Sequence, residues 1–272
     1  MAGTMEAAMC FACGPLAWQG AGMNYVLVLV VGFIAGVQNA LAGGGSFLTF
    51  PALLVFGMGA RAANITSTVA LFPGQVATGL AGWDDVAGVQ GIGFRGLAAI
   101  SLVGSAIGAV LLLLTSESFF AHLVPFLVLF ATAVFAWGSF LRRPRTGETR
   151  VGRVWAGIFQ GMIAIYGGYF GGGIGILMLA ALSLAGLQVR AAGATKNALT
   201  GILNLSAVVI FAFSRDVHWV AAIATGAGAI AGGQLGAWMM RRVNERWLRM
   251  IVVLIGLTLT AAMFWKVYVA GE

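Results

Sequence analysis

The sequence predicts an all-α polytopic membrane protein that consists of two inverted repeats of about five helical segments each, with broken or re-entrant short helices at glycine-rich motifs. The first observation is the composition, because 60% of the residues are hydrophobic and only 8% are charged, whereas soluble domains have roughly 45–50% and 25%. The second is an internal similarity, because residues 32–141 and 157–269 match at a nearly constant offset. The third is the clustering of arginines in a few short loops between apolar stretches.

The internal similarity indicates a duplicated unit. The glycine triplet Gly43–Gly45 matches Gly171–Gly173, and the stretch Arg61–Thr66 matches Arg190–Thr195. Several matching stretches at one offset argue against chance similarity. The predicted parts of the chain are an N-terminal extension (1–24), repeat 1 (25–141), a basic loop (142–152) and repeat 2 (153–269).

The N-terminal extension carries no Lys or Arg, so it does not look like a cleavable signal peptide. Cys10 and Cys13 form a lone C-x-x-C in it. Redox or metal chemistry would need a βαβ context or a second pair of ligands, and the sequence offers neither. We therefore interpret these cysteines as two unpaired thiols.

Each repeat is predicted to contain five helical segments, of which the second is short. At 1.5 Å per residue, a helix of about 12–14 residues covers roughly 18–21 Å of a hydrocarbon core about 30 Å thick, so it cannot span alone. We therefore expect a hairpin that is folded at the glycines. The predicted segments are 25–42, 46–57, 62–82, 92–114 and 121–141 in repeat 1, and 153–170, 172–185, 191–213, 218–240 and 247–269 in repeat 2.

The arginines predict the orientation of the repeats. The central loop holds a cluster of arginines, and the positive-inside rule predicts that such a loop lies on the cytoplasmic side. If each repeat crosses the membrane an odd number of times, with the hairpin counted as two crossings or none, the other arginine clusters also lie inside and both chain ends lie outside. This arrangement predicts inverted repeats in an inner, cytoplasmic-type membrane. The inside residues are then Arg142, Arg143, Arg145, Arg150, Arg153, Arg190, Arg241, Arg242, Arg246 and Arg249, and the outside ones are Arg61, Arg215 and Lys266.

The glycine breaks predict a binding site. Inverted repeats with interrupted helices are typical of secondary transporters whose site lies near the bilayer midplane. Non-helical backbone at that depth must be buried in protein or face a wet cavity, and free N–H groups at a helix start favour an anion. The alternative is that the glycines only allow close helix packing. The predicted substrate-binding residues at the breaks are Gln38, Asn39, Gly43, Gly44, Gly45, Ser46, Gly171, Gly172 and Gly173.

A second set of polar residues begins the third segment of each repeat. Thr66, Ser67 and Thr68 correspond to Thr195, Lys196 and Asn197, and we assign all six to the substrate site. Lys196 stands out because an ionisable residue within the membrane is a functional candidate by default. The alternatives are that Lys196 snorkels to the cytoplasmic surface and that the hydroxyls bond to carbonyls of their own helix.

Other functional classes lack their signatures in the sequence. The acidic residues Asp84, Asp85, Glu117, Asp216 and Glu245 all fall at predicted segment ends, so no carboxylate lies clearly in mid-membrane. No clustered metal ligands and no phosphate-binding G-x-x-x-x-G-K-[ST] loop occur. The net charge of +7 is not arranged as a basic stripe interleaved with aromatics. We therefore predict no enzyme activity, no catalytic residues, no metal, no cofactor and no nucleic-acid partner.

The first break resembles a known family. The stretch from Gly32 to Leu54, with Gln38, the glycine triplet and Pro51, is similar to the first-repeat signature of the TauE/SafE sulfite exporter family, and a weaker second copy runs from Tyr166 to Gly175. The resemblance implies a permease for small sulfur oxyanions or organosulfonates. Many relatives carry a Thr-Asn-Lys-like triplet in the first repeat, whereas this chain has Thr66-Ser67-Thr68 there.

Together these features predict a secondary or facilitative permease in the lipid bilayer. It would move a small sulfur-containing anion, such as sulfite or an organosulfonate, outward by alternating access between the repeats. The alternatives are a permease or channel for another small organic or inorganic anion, and a non-transport membrane assembly subunit. A homo-oligomer remains an open alternative to a monomer.

Overall fold

The computed structural model describes residues 24–41, 44–89, 91–137, 152–239 and 245–269. These residues form ten α-helices and no β-strand, which confirms the all-α class. Cys10, Cys13 and Gly43 lie outside the described residues, as does most of the basic loop. The helices are α1 (Tyr25–Leu41), α2 (Ser46–Val55), α3 (Ala60–Ala81), α4 (Phe94–Leu114), α5 (Glu117–Ala136), α6 (Arg153–Tyr169), α7 (Ile174–Leu184), α8 (Val189–Ala212), α9 (Trp219–Met239) and α10 (Glu245–Phe264).

The helices follow the apolar stretches of the sequence, and their ends carry recognisable stop and start signals. Three are long and apolar enough to cross a membrane, over Phe94–Leu114, Glu117–Val134 and Ala191–Phe211. Each short helix ends at a glycine with positive φ, Gly57 after α2 and Gly186 after α7, a conformation that a side chain disfavours. The two halves thus terminate their short helices in the same way.

The first helix of each half packs along the fourth helix of the other half. Gly32 and Gly36 of α1 lie directly against the backbone of Thr225 and Ala229 in α9. Gly108 of α4 lies in the same way against the end of α6. Both pairs run parallel because residue numbers increase together along the contact. Glycine permits this approach because a Cβ would collide with the facing backbone.

Equivalent helices of the two halves pack against each other in antiparallel pairs. In the α3–α8 pair, Gly79 lies against Ala198 and the side-chain amide of Asn204 donates a hydrogen bond to Gln75 Oε1. Gln75 and Asn204 each stand fourteen residues after the matched arginine of their repeat. In the α5–α10 pair, the rings of Phe126 and Phe264 lie 4.9 Å apart. In the described part of the chain, the first, third and fifth helices of each half therefore all pack against helices of the other half.

The helix ends define two faces of the protein. The Arg61 face holds the starts of α3, α5 and α9, because Arg61 contacts Glu117 and Asp216. The opposite face, the Arg153 face, holds the starts of α4, α6 and α8. Since α1 runs parallel to α9 and α2 leads back to α3, the α1–α2 hairpin enters and leaves on the Arg61 face. By the same reasoning, the α6–α7 hairpin enters and leaves on the Arg153 face.

Candidate functional site

The two glycine breaks meet in the interior of the protein. The ring of Phe50 in α2 packs edge-on against that of Phe170, which precedes the second triplet, with centroids 5.7 Å apart. Asn64 of α3 donates a hydrogen bond from Nδ2 to the backbone oxygen of Tyr169, at 3.1 Å. Residues from both halves therefore surround one small space, the central pocket. Its lining residues are Ser46, Phe47, Phe50, Pro51, Asn64, Val128, Phe170 and Gly172.

The central pocket is narrow and mostly apolar. It has room for about one water molecule, and the polar side chains among its lining residues are those of Ser46 and Asn64. A polyatomic anion needs more room than one water, so the aromatic side chains of Phe50 and Phe170 must separate before such an ion can pass. As it stands in the structure, the central pocket is therefore too small for a polyatomic anion.

The first break is held by the side chain of Gln38. This buried amide donates from Nε2 to the backbone oxygen of Gly44, at 3.0 Å. Gly44 has φ +80°, which glycine adopts without strain. Gly45 lies close to the backbone of Ala35, so a Cβ there would strike the oxygen of Ala35. Asn39 lines a separate small pocket between α1, α3 and α9.

The second break is held by Tyr166, whose hydroxyl donates to the backbone oxygen of Gly172 at 2.8 Å. Gly171 and Gly173 both have positive φ, 74° and 71°. Within the described residues, the N–H groups of Ile174 and Gly175, which begin α7, find no backbone acceptor. The start of α7 therefore presents free donors and the positive end of a helix dipole.

Lys196 lies beside these free donors. Its side chain passes over Gly175, with Cδ 3.6 Å and Nζ 3.8 Å from the point that a Cβ on Gly175 would occupy. Because Gly175 is the second residue of α7, the amine lies beside the second break. The described residues provide no ion pair to Lys196. The ammonium of Lys196 and the start of α7 together make a site of positive potential.

The predicted hydroxyl residues divide into two groups. Thr66 Oγ1 accepts from the backbone N–H of His218 at 3.2 Å, and Thr195 Oγ1 accepts from that of Ala87 at 2.9 Å. These two threonines anchor the turns before the fourth helices at opposite faces.

The remaining polar residues lie closer to the short helices or to the α3–α8 crossing. Ser67 shares a 2.5 Å hydrogen bond with Thr49 of α2. The hydroxyl of Thr68 donates to the carbonyl of Asn64 in its own helix, at 2.9 Å. This is the alternative expected for such hydroxyls, a bond within the helix. Asn197 lies at the crossing, where its carbonyl faces Gly79.

Asn64, Phe50 and Phe170 meet at the central pocket but are not among the residues predicted from the sequence. Asn64 belongs to the repeated stretch Arg61–Thr66, and repeat 2 has Gly193 at the equivalent position. A polar residue that interrupts an otherwise matched stretch was the available signal for it. The two phenylalanines gave no such signal, because an apolar residue in a membrane helix is the expected composition.

Comparisons with known proteins agree with one another. A family model described as "Sulfite exporter TauE/SafE" matches residues 28–263. A "Probable membrane transporter protein" of Haemophilus influenzae is 29% identical over 87% of this chain and 93% of its own length. "Probable membrane transporter protein ORF9" of a Sinorhizobium species is 28% identical over 85% and 89%. "Probable membrane transporter protein YfcA" of Escherichia coli K12 is 24% identical over 88% and 89%. No solved structure matches the chain significantly.

Proposed function

The chain belongs to the TauE/SafE sulfite exporter family of membrane transporters, and we propose that it exports a small sulfur-containing anion, such as sulfite or an organosulfonate, by alternating access between two inverted repeats. Membership in a transporter family leaves no place for an assembly subunit or an enzyme.

The observation that carries the proposal is the position of Lys196 at the start of α7. A lysine in a membrane helix needs a counter-charge or a polar surrounding. Here the neighbouring groups are Gly175 and the N–H donors that begin α7, which add positive rather than negative potential. An anion that enters between them satisfies the ammonium and the free N–H groups at once.

The central pocket adds an apolar wall to the proposed site, and Lys196, which is not one of its lining residues, lies beside Gly175, three residues after the lining residue Gly172. Phe50, Phe170 and Val128 form its apolar side, and these side chains can pack against the carbon skeleton of an organosulfonate. Sulfite would use the charged side alone. The proposed site therefore comprises Lys196 and the second triplet as the anion-binding part, and the residues around the first break as the opposite wall.

The helix pairs support the inverted repeat. A two-fold axis in the membrane plane makes equivalent helices antiparallel, whereas an axis along the membrane normal makes them parallel. The pairs α3–α8 and α5–α10 are both antiparallel. The sequence places its arginine clusters next to helix ends of the Arg153 face, so the positive-inside rule assigns that face to the cytoplasm.

The membrane potential supports export. A cell interior that is negative expels an anion, with about 2.3 kcal/mol per elementary charge per 100 mV. Export therefore needs no coupled ion. In liposomes, a transporter of this kind gives slow, saturable flux, and a pore-like conductance would instead identify a channel.

Thermal unfolding of the purified protein tests the substrate proposal. A ligand present at 100 times its Kd stabilises the folded state by about 2.7 kcal/mol, so sulfite or a small alkylsulfonate should raise Tm where matched sodium chloride does not. Lys196→Met keeps most of the side-chain volume but removes the charge, and we expect it to abolish the Tm increase. Arg215→Met, at an exposed arginine in the α8–α9 turn, is the matched control. An unchanged Tm increase in Lys196→Met would remove Lys196 from the site.

A further inference from the structure

A cluster of charged side chains joins the two halves at the Arg61 face. Arg61 Nε lies 3.1 Å from Asp216 Oδ2, and one of its terminal nitrogens lies 3.3 Å from Asp216 Oδ1. Asp216 belongs to the turn between α8 and α9, whereas Arg61 begins α3. The other terminal nitrogen donates to the carbonyl of Thr115 at 2.7 Å. One guanidinium thus ties the end of α4 to the α8–α9 turn.

Glu117 completes the cluster at the start of α3. Both of its carboxylate oxygens accept from the backbone N–H of Arg61, at 3.1 and 3.3 Å. Gly59 has no side chain to cap α3, and the carboxylate fills that role because negative charge is favoured at a helix start. We call Arg61, Thr115, Glu117 and Asp216 the clasp. The side chains of Arg61 and Asp216 are only 23% and 26% exposed, so water competes weakly with their ion pair.

A chain of hydrogen bonds connects the clasp to the second glycine break. The hydroxyl of Tyr169 donates to Thr115 Oγ1 at 3.3 Å, and the backbone oxygen of Tyr169 accepts from Asn64 at 3.1 Å. Tyr169 stands two residues before Gly171, and Asn64 lines the central pocket. A rearrangement at the break therefore changes the position of a group bonded to the clasp.

We propose that the clasp is the gate of the Arg61 face: it closes the path from the central pocket to that face, and it opens when the second break rearranges around an anion. The proposal rests on the alternating-access cycle of the preceding subsection. Opening requires the α8–α9 turn to move away from the start of α3, and the Arg61–Asp216 ion pair is the contact that opposes this movement. The Thr66–His218 hydrogen bond restrains the same turn.

Cysteine labelling tests the gate. In a Cys10→Ser/Cys13→Ser background, Ser46→Cys places a thiol in the lining of the central pocket, and a membrane-impermeant maleimide is applied from the Arg61 face. We expect slow labelling with the intact clasp and at least tenfold faster labelling after Arg61→Gln or Asp216→Asn. The charge reversal Arg61→Asp/Asp216→Arg should return the rate toward that of the intact clasp. Equal rates in all four proteins would overturn the proposal.

Two controls sharpen this measurement. Phe213→Cys, at a side chain 90% exposed beside the same turn, reports that the reagent reaches the Arg61 face. Arg215→Gln removes the neighbouring exposed charge and should leave the labelling rate unchanged. Because labelling needs no substrate, it reports the gate even if sulfite and sulfonates fail to bind.

A cross-link provides a second, independent measurement. Joining Arg61→Cys to Asp216→Cys with a short bifunctional thiol reagent should stop transport and leave the anion-dependent rise in Tm intact. Transport that continues through the cross-linked protein would refute the gate.

Discussion

Repeat 1 and repeat 2 hold their glycine breaks with the same bond from different donors. In repeat 1 the amide of Gln38 donates to the carbonyl of Gly44, and in repeat 2 the hydroxyl of Tyr166 donates to that of Gly172. In each repeat the donor stands six residues before the acceptor. The hydrogen bond that holds the break is therefore common to both halves, while its donor and the backbone conformation differ, because Gly45 has φ −53° and the matching Gly173 has φ +71°.

The halves differ most at one pair of contacting positions. Where repeat 2 has Gly175 under Lys196, the matching positions of repeat 1 hold Phe47 and Ser67. Ser67 bonds to Thr49 and carries no charge. A glycine on the short helix makes space for the lysine stem, and a phenylalanine fills that space in repeat 1. The comparison teaches that only repeat 2 carries a lysine at these matched positions, so the site that we propose is asymmetric between two similar halves.

The largest expected effect comes from placing in repeat 2 the bulky side chain that repeat 1 has at the matching position. Gly175→Phe would place a ring where the Lys196 stem lies, and we expect the displaced ammonium to lower anion affinity about 100-fold, equivalent to about 2.7 kcal/mol of binding free energy. Isothermal titration with sulfite or an alkylsulfonate measures this loss. Gly175→Ala is the matched control, because a Cβ at this point is in ordinary contact with the lysine and should be tolerated. Wild-type affinity in Gly175→Phe would show that the glycine does not position the lysine.

A smaller effect is expected from removing a donor that holds a break. Tyr166→Phe leaves the carbonyl of Gly172 without its partner, and an unsatisfied buried acceptor costs about 1–3 kcal/mol. We expect a lower Tm and faster hydrogen exchange in the residues after Tyr166. Tyr268→Phe is the comparison variant, since that exposed hydroxyl bonds to a carbonyl near the surface. Equal stability losses in the two variants would mean that the hydrogen bond at the break contributes no more to stability than the one near the surface.

The sequence was sufficient to predict the helices but not their partners. Long apolar runs, two glycine triplets and turn signals gave ten segments whose positions agree with the ten helices. Ends were less well predicted: α5 begins at Glu117 rather than at 121, because Ser116 caps it with a hydrogen bond from the N–H of Phe119. A cap of this kind depends on one side chain, which hydropathy alone does not weigh.

The site was predictable only in its local part. The glycine triplets and Lys196 stand out in the sequence because they break the composition expected of a membrane helix, and their role in binding stays a prediction. The contact of Phe50 with Phe170, and the bonds of Thr66 and Thr195 to distant turns, depend on how helices from different halves are packed. No local pattern encodes such pairings, so the sequence does not show that the hydroxyl of Thr195 anchors a turn; its place in the substrate site stays a prediction.

The smallest expected effect comes from Ser67, the uncharged residue of repeat 1 that matches Lys196 of repeat 2. Ser67→Ala removes the hydrogen bond to Thr49 and should lower the free energy of unfolding by about 0.5–1.5 kcal/mol, because the short helix α2 loses one tie to α3. Anion affinity should stay within a factor of two, since Ser67 carries no charge and its hydroxyl is already bonded within its own half. Paired thermal melts with and without the anion measure both quantities in one experiment. If Ser67→Ala instead reduced anion affinity as strongly as Lys196→Met, both halves would contribute to binding and the asymmetry inferred here would be wrong.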